Sequence, residues 1–321
     1  MPDPDARSSL ATLTEQLPQT RAEWESRLER LVRENRFTIS VFFPLNGIVL
    51  LLASAEGLLP APLAFNGLLI LIGTAVMRSP LVVGVLSITD RRAAVGVGAL
   101  TLYAYAIEFV GIQTGIPYGE FFYGVDLGPV VAGVPLGLPI FFIPLVMNSY
   151  LLCLLLLGDR AAHAATRLLA VIAAVLTMDL VLDPGAVALG FWVYPNGGAF
   201  YGVPLSNYAG WVLSATVAVV ALDWGYDRHA LRARLEDCEF LLDDLVSFVI
   251  LWGGINAWFG NWIPVALAAL FGLGLLRADR FDVPTKGLPW IQSQTSTRNQ
   301  ESAQKQESTS EIGRASCRER V

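Results

Sequence analysis

Three carboxyl groups stand where water is scarce. Asp179 and Asp183 lie four residues apart in one largely apolar run, and Glu108 lies in another. Were the first run helical, that spacing would put both aspartates on one face. Ionisable groups inside a membrane span are costly and mark function by default. Burial in apolar surroundings favours the neutral carboxyl, which can then act as a general acid near neutral pH. The neighbouring sequence is dense in Gly, Pro and aromatic residues. Between Glu108 and Pro139 come Pro117, Tyr118, Gly119, Glu120, Phe121, Phe122 and Tyr123. Between Asp179 and Trp211 come Pro184, Trp192, Tyr194, Asn196, Tyr201, Pro204, Asn207 and Tyr208. Aromatic faces attract cations through their quadrupole. An apolar, aromatic-walled cavity with a proton donor suits protonation of an alkene and survival of the carbocation that results. Two plainer roles compete. The carboxyls can serve helix packing by hydrogen bonding to Asn, Tyr or Trp, and the aromatics can form an interfacial belt. Tyr194, Tyr208 and Trp262 are read as belt, and Trp192, Tyr201 and Trp211 as site.

The elements that must position these groups are membrane helices. Of 321 residues, 54% are hydrophobic and only 16% charged, against roughly 25% charged in an average soluble domain. Mean hydropathy is +0.53. A span needs about 20 mostly apolar residues. Eight candidates follow: 37–55, 62–77 (or on to 88, past Pro80), 93–112, 139–157, 167–190, 207–223, 240–257 and 262–276. The basic residues precede the first span, follow the second, fourth and sixth, or follow the eighth. The alternate loops, near 56–61, 113–138, 191–206 and 258–261, hold no Lys or Arg. By the positive-inside rule both termini are cytoplasmic. The expected fold is therefore an all-α, polytopic integral membrane bundle of about eight helices in the cell membrane. Residues 1–36 form a polar arm without the apolar core of a signal peptide. Within it, Trp24, Leu28, Leu31 and Val32 recur at the spacing of an interfacial amphipathic helix. Residues 37–277 form the transmembrane catalytic domain. Residues 286–321 read as a disordered tail, with 311–321 of cloning origin.

Several function classes are disfavoured. A net charge of −6 argues against nucleic acid as a partner, which would call for a basic surface. Three cysteines and two histidines leave little for a metal site, and none is expected. No phosphate-binding glycine fingerprint occurs between a strand and a helix. Weaker signals have ordinary readings. Asp243 and Asp244 suit a helix cap, and Asn148 a packing hydrogen bond. His163 and His229 are read as solvated, and Gly96 to Gly98 as a close helix contact.

The outer segments resemble a known family, the membrane carotenoid hydratases (the bisanhydrobacterioruberin hydratase and γ-carotene 1′,2′-hydratase group). The resemblance is carried by EFVGIQTGIPYGEFFYG (108–124), LGPVVAGVPL (127–136), DLVLDPGAVALGFW (179–192) and YGVPLSNYAGW (201–211). The halophilic archaeal branch is the nearer match. It accords with an acidic chain whose lysines are only Lys286 and Lys305 while arginine is plentiful. The resemblance implies a membrane hydro-lyase of carotenoid biosynthesis that needs no cofactor, since hydration changes no net oxidation state. It implies a C50 carotenoid substrate in the bilayer, bisanhydrobacterioruberin, with other carotenoid-biosynthesis enzymes as partners. The family brings no firmly assigned catalytic residues, so roles come from the residues themselves. Asp183 or Asp179 would protonate the terminal alkene. Trp192, Tyr201 or Trp211 would steady the tertiary cation. A water held by Glu108 and Asn207 would attack it, with Glu108 as base. Tyr118 and Glu120 complete the expected substrate-binding set. The rivals are a prenyltransferase, which would use Asp179 and Asp183 to hold Mg²⁺ and diphosphate, a carotene cyclase, and a proton-coupled transporter.

Overall fold

The computed structural model describes residues 20–278, together with Pro18 and Arg280. The tail and the cloning-derived stretch expected over 286–321 lie outside the described residues. Helix α1 spans Arg21–Glu34, and the Thr20 hydroxyl accepts from the Glu23 amide at 3.2 Å to cap it. A wide π-type turn over Thr38–Phe42 leads into α2, Phe43–Ala55. Pro44 lies in the first turn of α2, where a missing N–H costs little. Helix α3 covers Gly67–Leu86 and α4 covers Arg91–Thr114. Asn66 and Asp90 cap them by accepting from the amides of Leu69 (3.0 Å) and Ala93 (2.8 Å). Helix α4 stops at Gly115, whose φ of 71° is the left-handed conformation of a C-terminal cap.

The second half is also mainly helical. Helix α5 is Leu138–Leu157, followed by a 3-10 turn over Gly158–Ala162, and α6 is Ala164–Ala188. Helix α7 is Leu205–Gly225 and the short α8 is Arg228–Asp237. Helices α9, Asp243–Trp258, and α10, Trp262–Arg277, close the bundle. Among the described residues the fold is all-α apart from two ribbons in the loops. Strand β1 (Phe122–Tyr123) pairs antiparallel with β4 (Trp192–Val193), with Tyr123 opposite Trp192. Strands β2 (Val130–Val131) and β3 (Val134–Pro135) form a hairpin.

Among the described residues, six helical segments are long and apolar enough to cross a membrane, not eight. They are Thr38–Ala55, Gly67–Leu86, Arg91–Thr114, Leu138–Ala162, Ala164–Ala188 and Leu205–Gly225. The last two expected spans are helices of 16 residues, about 24 Å long at 1.5 Å per residue. The count differs at residues 240–242, where Phe240, Leu241 and Leu242 are apolar but form a buried turn ahead of α9. Helix α3 runs through Pro80 to Leu86. Proline removes the amide that would bond the carbonyl of Val76, and the Ser79 hydroxyl donates to that carbonyl instead, at 2.7 Å.

Successive long helices run in opposite directions, so the bundle has two chemically different ends. The loops 56–66, 115–137, 189–204 and 259–261 gather at one end and contain no Arg or Lys. The other end is tied by ion pairs. Arg36 reaches Asp243 at 2.8 Å, and Arg78 reaches Asp244 at 2.5 Å. Asn148 donates to Asp244 at 2.5 Å. Arg167 pairs with Asp223, which also accepts from Tyr150 at 2.5 Å. Asp243 and Asp244 thus lie within the first turn of α9 and do not occupy its N-cap position, which is Leu242. They are fully buried partners of arginines from elements far away in sequence.

Candidate active site

The cavity of interest lies at the Arg-free end, walled by α4, α5, α6, α7, α9 and the two long loops. It holds about 950 Å³ of space free of protein atoms, part of it open to the outside. Its wall is mostly apolar, with Glu108, Asp183 and Asn207 as its charged and amide groups.

Helix α6 supplies the acids. Asp183 sits about 7.5 Å from the helix end, and Asp179 one turn deeper. Both are buried, at 3% and 0% exposure. From α7, the Asn207 side-chain amide donates to Asp179 Oδ2 at 3.1 Å and to Asp183 Oδ2 in a shorter bond. One nitrogen therefore binds one oxygen of each carboxyl and draws the two together. Two carboxyls in such proximity do not both carry charge readily. The outer end of α6 is braced by α9 and its following turn. Asn256 donates to the Val181 carbonyl at 2.7 Å, and Asn261 to the Pro184 carbonyl at 3.3 Å.

Helix α4 supplies Glu108, which accepts from the Tyr123 hydroxyl. The β1–β4 ribbon makes that possible, because it brings Tyr123 beside Trp192 and joins the two loops over the cavity. Gly124 permits the ribbon's close approach, since a Cβ there would stand 2.4 Å from the Gly190 carbonyl oxygen. Burial, followed by the Glu108 carboxyl, pushes the Tyr123 hydroxyl well up from its ordinary pKa. Burial and the carboxyls of Asp183, Asp179 and Glu108 do the same to Tyr194. Both tyrosines therefore remain neutral phenols at physiological pH. Tyr118 is held by a 2.7 Å bond to Ser214, which also meets Tyr103 at 3.0 Å.

The remaining wall is aromatic. Trp211 stacks on Phe142 with centroids 5.5 Å apart and an interplanar angle of 17°. Tyr118 meets Trp211 at 6.2 Å, and Phe121 meets Tyr194 at 6.1 Å. Phe191 lies edge-on to both Trp192 and Trp252. A cationic centre inside would face several ring systems.

The cavity gathers Glu108, Asp183, Asn207, Tyr118, Trp192 and Trp211, with Asp179 behind Asp183. Glu120 and Tyr201 do not line it. Glu120 is exposed and accepts from Asn196 at 3.4 Å. The Tyr201 hydroxyl accepts from the Ile263 amide at 3.4 Å, and its backbone takes a left-handed φ of 49°. Tyr194, read from sequence as belt, is buried in the cavity wall. Trp262 is exposed, at 67%. Phe142, Phe191 and Trp252 were not singled out by sequence. They sit in apolar runs where composition does not reveal which face looks inward. Among the described residues, no three His, Cys, Asp or Glu groups are placed to hold a metal ion together.

With that geometry, the sequence profile of carotenoid biosynthesis proteins matches residues 65–275. The chain belongs to this family. A bisanhydrobacterioruberin hydratase of Haloarcula japonica is 62% identical over 267 residues, which is 83% of this chain and 91% of that relative. No solved structure matches the chain. All elements that build the cavity of this carotenoid biosynthesis protein fall within the matched residues.

Proposed function

We propose that this protein is a carotenoid hydratase of the cell membrane that converts bisanhydrobacterioruberin to bacterioruberin. The observation that carries the reading is the 62% identity, over most of both chains, to a relative bearing that name. The cavity supports it chemically. Hydration of a terminal trisubstituted alkene needs an acid, a place for a tertiary cation, and a base beside a water. Asp183, paired with Asp179 through Asn207, gives a proton to the less substituted alkene carbon. The tertiary cation is steadied by Trp192, Trp211 and the neighbouring rings. Water held between Glu108 and Asn207 attacks the cation, and Glu108 takes the proton released. One acid and one base in distinct environments is the arrangement such chemistry requires. Tyr118 shapes the wall, while Glu120 and Tyr201 act at the mouth. No electron acceptor or cofactor enters this scheme.

The rest of the polyene leaves the cavity through its open side, so one end of the substrate reacts at a time. We place both termini in the cytoplasm, on the arginine distribution. The acidic cavity then faces the outer leaflet, where water is near. Helices α9 and α10 are membrane-embedded in this arrangement and complete a set of eight. The test is purified protein in lipid vesicles, given bisanhydrobacterioruberin in water enriched in ¹⁸O. The product should gain one labelled hydroxyl per hydrated end. Recovery of unlabelled or unchanged pigment would overturn the reading.

A further inference from the structure

The loop that leads into α5 has a composition that water does not select. From Gly128 to Pro139 no residue carries a polar side chain. Its centre is the β2–β3 hairpin, Val130–Val131 paired with Val134–Pro135. The hairpin has two unlike faces. Val130 and Val131 are 60% and 61% exposed. Val134 and Pro135 are buried, and Pro135 lines the cavity together with Leu127, just ahead of the hairpin. The depth of the hairpin follows from what it touches. At the tip, a Cβ on Gly133 would lie 3.7 Å from Ile112, close to the end of α4. At the base, the Tyr105 hydroxyl donates to the Leu136 carbonyl at 2.6 Å. Tyr105 stands about 14 Å back from the end of α4 at 1.5 Å per residue. Helical side chains lean toward the N-terminus, here deeper still. Gly128 and Gly137 both press on the Leu71 side chain, one turn inside α3. The hairpin therefore lies beside the Arg-free ends of two long apolar helices and not above them.

A backbone at that depth must find its hydrogen-bond partners within the protein. The strands pair with each other. The Leu136 amide donates to the Pro129 carbonyl at 2.8 Å, and Tyr105 satisfies the Leu136 carbonyl. Pro129 and Pro135 have no amide to satisfy. An exposed apolar face on a backbone bonded in this way, level with two membrane helices, fits the hydrocarbon of the leaflet at the Arg-free end. We infer that the β2–β3 hairpin is immersed in that hydrocarbon and is the doorway by which the polyene enters the cavity from the bilayer. Val130 and Val131 meet the acyl chains, and Pro135 and Leu127 meet the substrate. A polyene is itself hydrocarbon, so the contacts that suit lipid suit it as well. A two-stranded ribbon is only marginally stable by itself, so this is the part of the wall that yields to a long, thin molecule. The doorway rests on the carotenoid hydratase reading; the immersion does not.

The test uses the full chain in lipid vesicles that carry bisanhydrobacterioruberin. For immersion, Val131→Cys is made together with Cys317→Ser and labelled with a fluorescent maleimide; Cys153 and Cys238 are buried. Doxyl groups on the lipid acyl chains should quench the label, and iodide in the water should not. Quenching by iodide and not by doxyl lipid overturns the inference. For entry, Val131→Asp and the milder Val131→Gln are compared with Val131→Leu. Val131 is exposed, so none of the three disturbs the packing. The acidic and amide variants should raise KM about tenfold with kcat kept, the pattern of lost ground-state binding, while Val131→Leu keeps the parent KM. A hairpin that only fills space would leave KM unmoved, or lower kcat and the melting temperature together, and either result overturns the doorway. An inactive parent protein overturns the hydratase reading and the doorway with it, and the quenching still decides the immersion.

Discussion

Replacing Asp183 by Asn changes one group by almost nothing in shape and everything in acidity. The side chain is 3% exposed and shares the Asn207 amide with Asp179. An asparagine there can still accept from Asn207 through its oxygen, so the packing of α6 against α7 is kept. It has no proton to give at any accessible pH. Proton transfer by a positioned side chain contributes about 10²- to 10⁴-fold. At roughly 1.4 kcal/mol per tenfold, the barrier should rise by about 3–5.5 kcal/mol. Asp179→Asn should cost less, because Asp179 does not line the cavity and acts through its partner. The assay is conversion of bisanhydrobacterioruberin in vesicles, with thermal melting of each variant in detergent as the check on folding. Asp183→Asn should melt within a few degrees of the parent and convert at 1% of its rate or less, as about 10² or more implies. If it melts normally and converts at the parent rate, the acid is elsewhere and the chemical scheme fails.

Other perturbations separate roles around the same cavity. Glu108→Gln should lower turnover about 10²-fold, while Tyr123→Phe, which removes only the donor to Glu108, should lower it less; steady-state rates compare the two. Gly210→Ala places a Cβ 2.5 Å from the Tyr118 ring, so it should push that ring into the cavity and raise KM more than it lowers the melting temperature. Arg78→Met leaves the buried Asp244 charge without its arginine and should destabilise by about 3–5 kcal/mol. The double variant with Asp244→Leu should regain much of that loss, read as melting temperature, and a double variant no better than the single would contradict the pairing.

Much of this architecture is legible in the chain. Runs of twenty apolar residues mark the long helices, because nothing else satisfies a backbone in lipid. The Arg-free loops mark one end of the bundle. Asp179, Asp183 and Glu108 stand out because charge inside such runs is rare. What is not legible depends on contacts between distant segments. Arg36 meets Asp243 across 207 positions and Arg78 meets Asp244 across 166, so a pair that looks like a cap is half of two ion pairs. Tyr194 and Tyr201 exchange places for a similar reason. A two-residue ribbon aims the segment carrying Tyr194 inward, and a left-handed turn places the Tyr201 hydroxyl against α10. Trp252 is hidden because an apolar helix gives no sign of which face meets a ligand.

Water added to a C50 carotenoid changes the mass of the pigment. The most direct measurement is the pigment mass, by liquid chromatography and mass spectrometry, of cells that make the unhydrated C50 carotenoid, with and without this gene. A hydratase gives a gain of one water per hydrated end when the gene is present, and none with the Asp183→Asn form. A product of unchanged mass, a five-carbon increment, or the same water gain from Asp183→Asn would contradict it.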